Sequence, residues 1–192
     1  MFYVLRTLIS VLTFPGVIVH ELAHQIFCHL CRVPVYKVKY FQFKNPPGYV
    51  IHAAVDRPIA NFAIGTGPFL INTVLGVSIA LPATAKLADH SISTLFSTLF
   101  STLEMMDFIL IYLGFAILMH AFPSKGDAQS MYRSIVKNKR VNILAKILAL
   151  PIIGLIYLGS LGSIIWLDTI YAIALLKLSA SLLPPLWDSL LF

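Results

Sequence analysis

Residues 58–85 read PIANFAIGTGPFLINTVLGVSIALPATA, a run without one charged side chain. An α-helix rises about 1.5 Å per residue, so about 20 apolar residues cross the roughly 30 Å hydrocarbon core of a bilayer. Pro58 suits a first helical turn, where its missing N–H costs nothing, and the helix is expected to run to about Ala83. Working outward, residues 108–124 and 147–167 are also free of charge, 169–187 are interrupted only by Lys177, and 1–19 only by Arg6. The whole chain is 58% hydrophobic and 11% charged, against about 25% charged in a soluble domain. These features predict an all-α multi-pass membrane protein of four to six transmembrane helices, one domain over 1–192, with the lipid bilayer as its surroundings. The first apolar stretch continues without a cleavage site into polar chemistry at position 20, so it reads as a retained helix and not as a signal peptide.

The segment after the first helix has a different period. Val35, Tyr36, Val38, Tyr40, Phe41 and Phe43 are strand formers alternating with Lys37 and Lys39, and Asn45-Pro46-Pro47-Gly48 is a turn signal before Tyr49-Val50-Ile51. A small β-hairpin near the membrane surface is expected there. Four helices complete the plan: Phe2 to Arg32, bent at Pro15-Gly16; Met105 to Phe122, stopped by Pro123; Asn142 to Trp166; and one from an Asp168 N-cap to Leu183, stopped by Pro184-Pro185. Ser91 to Phe100 could add a short surface helix.

The charge is unevenly placed. Eleven of the 14 Lys and Arg residues lie in 32–57 and 123–146, whereas 86–107 holds Lys86 against Asp89, Glu104 and Asp107. The positive-inside rule then puts the loops 32–57 and 123–141 in the cytoplasm and the N-terminus outside. Topology accounts for the basic residues without a nucleic-acid partner.

Near the end of the first helix stands His20-Glu21-Leu22-Ala23-His24. On a helix, positions 20 and 24 share a face one turn apart, so two imidazoles can reach one metal ion with Glu21 beside it. Nitrogen donors at that spacing suit zinc, and a catalytic zinc keeps three protein ligands and one open position. Glu21 is the candidate general base, taking a proton from water whose pKa the metal lowers. Ionisable groups buried in a membrane are costly, which favours a functional reading of the cluster. For the third ligand the candidates are Asp127, His120, His52 and Asp56. Cys28 and Cys31 lie too far along the helix, about 12 and 16 Å from His20 by the helical rise, and read as packing groups.

Three elements together, His20-Glu21-Leu22-Ala23-His24, Gly67-Pro68-Phe69-Leu70-Ile71-Asn72 and Pro123-Ser124-Lys125-Gly126-Asp127, resemble the site-2 protease family of intramembrane metalloproteases over about residues 14–130. The chain differs from the family's usual pattern in having His120 three positions before the proline and Ala128 after the aspartate. The resemblance implies Asp127 as third zinc ligand and cleavage of a peptide bond within or beside a transmembrane segment of a membrane-protein substrate. Asn72 and His120 are then candidates to contact the substrate, and the hairpin could receive an unwound substrate as an added strand or simply cover the site. Two other readings use the same residues: a zinc-binding scaffold or pseudoenzyme, in which Glu21 has no task, and an ion relay, for which no repeated halves are visible. Regulation would come from a membrane partner that the residues do not identify.

Overall fold

The computed structural model describes residues 2–87, 102–162 and 166–191. The chain is mostly helical: α1 (Phe2–Leu12), α2 (Phe14–Leu30), α3 (Pro58–Ala85), α4 (Met105–Met119), α5 (Lys125–Met131) with a π turn over Tyr132–Val136, α6 (Ile143–Gly162) and α7 (Leu167–Leu191). Between α2 and α3 lies an antiparallel hairpin, β1 (Val35–Lys39) and β2 (Tyr49–His52), paired from Val35↔His52 to Lys39↔Tyr49 with a bulge between Val35 and Lys37. The expected surface helix at Ser91 to Phe100 lies outside the described residues.

Several boundaries differ from the sequence reading. The first helix is broken outright at Thr13 and not merely bent, because Pro15 near the start of α2 has no N–H to continue α1. The next helix but one, α4, ends at Met119, three residues before the expected Phe122. Pro123 disfavours helical backbone in the residue before it, and the His120 and Ala121 amides tighten onto the Ile117 and Leu118 carbonyls. Conversely, α7 runs through Pro184-Pro185, since proline's φ of about −65° is itself helical and removes donors without forcing the chain out. Asp168 sits in the first turn of α7, where its Oδ1 accepts from the Thr169 amide at 2.9 Å.

Among the described residues two helices, Pro58–Ala85 and Ile143–Ser160, are long and apolar enough to cross a membrane. This is fewer than the four to six read from hydropathy alone. For three of the others the physical reason is length: α1, α2 and α4 have 11, 17 and 15 residues, and even the longest of these spans only about 26 Å as a straight helix.

Packing centres on α3, which contacts α2, α4, α5 and α7. Ala80, Leu118, Met119, Ala172 and Leu176 form one core where α3, α4 and α7 meet. A second, built from Ala128, Met131, Ile135, Ile153 and Ile156, joins α5 and the π turn to α6. Small residues set the closest approach: a Cβ on Gly114 would lie 2.5 Å from the Gly76 carbonyl oxygen and from the Ala80 Cβ. Gly76, Ala80 and Gly114 thus let the α3 and α4 backbones touch, the device that membrane helices use in place of a hydrophobic drive. Gly114→Val should push the helices apart and lower stability by about 1–3 kcal/mol, read as a fall in the thermal midpoint in detergent. An unchanged midpoint would contradict this packing.

Candidate metal centre

Donor atoms of His20, His24 and Asp127 lie within 4.8 Å of one another, the one group of three such residues among those described. Two come from one face of α2. The third comes from the first turn of α5, and what brings it there is a set of side-chain bonds. Asn61 of α3 and Ser130 of α5 pair reciprocally, Nδ2 to Oγ at 3.0 Å and Oγ to Oδ1 at 3.1 Å, while Gly65 leaves room for Met131. At the head of α5, Ser124 and Asp127 form a capping box: the Ser124 amide and hydroxyl donate to Asp127 Oδ2 at 2.8 and 2.6 Å, and the Asp127 amide donates to the Ser124 hydroxyl. Burial opposes the charge on Asp127, and the Ser124 hydroxyl favours it.

Each imidazole is fixed through Nδ1. The Nδ1–H of His20 donates to the His120 carbonyl at 2.6 Å, and that of His24 to the Ile64 carbonyl at 3.0 Å. A carbonyl only accepts, so both protons sit on Nδ1 and both Nε2 lone pairs are left for a metal, the outer-shell arrangement typical of histidine ligands. The Nε2 of His24 is 3.6 Å from Asp127 Oδ2. Tetrahedral zinc with bonds of about 2.0–2.1 Å wants donors about 3.4 Å apart, so this pair is near ligand spacing, and all three donors lie within 4.8 Å of one another. Two neutral imidazoles and one carboxylate, with a fourth position open, fit zinc.

Glu21 is 8% exposed and lies on α2 between the two histidines in sequence. The hairpin turn sits on it. A Cβ at Gly48 would fall 2.6 Å from Glu21 Cγ and 3.0 Å from Oε1, so only glycine fits against the carboxylate. The loop is held to α2 by the Tyr40 hydroxyl donating to Gln25 Oε1 and by ring contacts of Phe14 with Phe41 and of Phe41 with Phe43. Of the two expectations for the hairpin, its turn covers the site, and among the described residues no third strand pairs with it.

The two residues expected to contact substrate adjoin the cluster through the His120 carbonyl. Asn72 is fully buried, and its Nδ2 faces the carbonyls of Gly16, Ile117 and His120 at 3.3, 3.1 and 3.2 Å, which ties α2, α3 and α4 together. His120 points its ring at the α1–α2 break. The Thr13 hydroxyl gives its proton to the Ile9 carbonyl at 2.7 Å, so toward His120 Nε2, 2.8 Å away, it can only accept. His120 Nε2 is therefore a donor and not a metal ligand. Its carbonyl is the functional part, holding His20. Of the remaining third-ligand candidates, His52 Nδ1 donates to the Ala53 carbonyl and Asp56 is exposed, and neither joins the cluster. Cys28 is buried with Val33 and Ile64, and the Cys31 thiol points at the Ala60 carbonyl, both as packing groups.

Side-chain motifs could not have revealed the Ile64 and His120 carbonyls, and Ser124, Asn61 and Gly48 carry no signal beyond ordinary capping, pairing and turn chemistry. No family model matches the chain, and no curated protein or solved structure is similar to it.

Proposed function

We propose that this chain is an intramembrane zinc endopeptidase that hydrolyses a peptide bond within or beside a transmembrane segment of a membrane-protein substrate. The observation that carries the reading is the convergence of His20, His24 and Asp127 within 4.8 Å beside a buried glutamate, among apolar helices. One zinc ion held by those three residues would supply Lewis acidity and lower the pKa of water toward about 7. Glu21 accepts the proton of the attacking water and returns it to the leaving amine. His20 and His24 stay in the tautomer that offers Nε2, and Asp127 offsets the metal's charge where the surroundings are apolar. The Gly48 turn and the α2–α4 contact keep bulk water away.

In the same reading the broken pair α1–α2 and the short α4 cross together with α3, α6 and α7, so that the chain passes the bilayer four to six times with its N-terminus outside, and the basic loops 32–57 and 123–141 are cytoplasmic, as the charge distribution favours. That puts α5 and the end of α2 at one depth. The fall of the basic residues into these two loops also supports a topology role for them and no nucleic-acid partner.

The test uses full-length protein in lipid nanodiscs with a panel of single-span membrane substrates. Cleavage should stop when a strong chelator removes the metal and return with about one equivalent of zinc. Cleavage that persists in fully metal-free protein would sink the proposal.

A further inference from the structure

In an α-helix the carbonyl of residue i is occupied by the amide of residue i+4. For Ile64 that partner is position 68, which is a proline inside α3 and has no N–H. The Ile64 carbonyl is thus left without its helical donor, deep in the protein, where an unpaired acceptor is costly. His24 supplies the missing donor: its Nδ1–H reaches that carbonyl at 3.0 Å. Ile64 is 2% exposed and Pro68 is among the fully buried side chains, so water does not compete for the bond.

We infer that Pro68 is a positioning residue for the metal centre: by vacating the Ile64 carbonyl it fixes His24 with its proton on Nδ1 and its Nε2 facing Asp127. The inference rests on the zinc reading for its consequence, though not for its geometry. An interior proline weakens a helix, and an orphaned carbonyl weakens it further. Here both are turned to one bond that a regular helix could not offer. The neighbouring Gly67 serves the same approach, because a Cβ there would run into the Phe27 ring of α2 and hold the two helices apart.

The same helix contains a control. Pro82 is also internal to α3 but lies toward the far end of the helix, away from Ile64. Replacing it changes helix propensity without touching the His24 bond.

The experiment compares parent, Pro68→Ala and Pro82→Ala in nanodiscs. Alanine at 68 restores an N–H that competes with His24 for the Ile64 carbonyl. Two readouts are taken: nitrogen-15 shifts of labelled histidine in metal-free protein, and zinc affinity by chelator competition. In the parent, His24 Nδ1 should carry a proton hydrogen-bonded to the Ile64 carbonyl. In Pro68→Ala that hydrogen-bonded signal should be lost and zinc affinity should fall by about 10- to 100-fold, the usual effect of an outer-shell change, while helix content by circular dichroism is kept or rises. Pro82→Ala should match the parent in both. A parental His24 signal in Pro68→Ala, or an equal affinity loss in Pro82→Ala, overturns the inference. The shift measurement needs no metal, so the positioning role stands or falls there even if zinc or cleavage is absent, and absence of cleavage in the parent counts only against the endopeptidase reading.

Discussion

Glu21→Gln should lose cleavage by about 10²–10⁴-fold while its zinc content stays at the parental level. Glutamine keeps the length and planarity of the side chain, so the contact with Gly48 survives. What disappears is the ability to take a proton from water, since an amide oxygen is a far weaker base than a carboxylate. The metal site does not include Glu21, whose neighbours His20 and His24 are held by backbone carbonyls that the substitution leaves alone. Zinc by elemental analysis and turnover on a single-span substrate separate the two effects. Parental turnover in this variant would rule out Glu21 as the base, and loss of zinc would make it a ligand.

The second large effect belongs to Asp127→Asn, and it has the opposite pattern. Asparagine Oδ1 can still accept from the Ser124 amide and hydroxyl, so the cap on α5 is retained. The charge is not. A neutral amide oxygen is a poor zinc ligand, and the ion loses its one directly ligating carboxylate in an apolar setting. Changes one shell farther out already cost about 10- to 100-fold in metal affinity, so removing a direct ligand should cost at least about 100-fold. Both variants are then inactive, but only this one is metal-depleted. Should Asp127→Asn keep full zinc while His120→Ala loses it, His120 would be the ligand and the Thr13 hydrogen bond would have to break on metal binding.

These expectations trace to different depths of the sequence. His20, Glu21 and His24 were legible because four residues on a helix are one turn, so spacing alone places them on one face. The hairpin was legible because its period of two and its Pro-Pro-Gly turn differ from everything around it, and α3 because an uncharged run of that length forms a helix shielded from water. Asp127 needed a resemblance. Its approach to α2 is made by Asn61 and Ser130 on two other helices, and no local pattern encodes that meeting. The substrate-contact roles of Asn72 and His120 likewise rest on the resemblance. In three dimensions Asn72 Nδ2 faces three backbone carbonyls while its Oδ1 is buried without a partner among the described residues, and His120 Nε2 meets the Thr13 hydroxyl. The break at Thr13 was underestimated because a proline two residues into a helix reads as a bend until the competing amide positions are counted. Pro184-Pro185 shows the reverse error, since removing donors does not by itself end a helix.

The seating of Gly48 on Glu21 bears on how often the site can work. While that turn is down, no peptide backbone can touch the carboxylate from the hairpin side, because the space is filled to van der Waals contact. The turn is held onto α2 by the Tyr40 hydroxyl and a short row of aromatic rings, and it is closed on itself by Gln42, which donates to the Pro46 and Pro47 carbonyls, and by the strand pair ending at Lys39↔Tyr49. It is a cover on a fixed frame, and under the proposed endopeptidase reading a substrate reaches Glu21 from that side once Tyr40 lets go of Gln25.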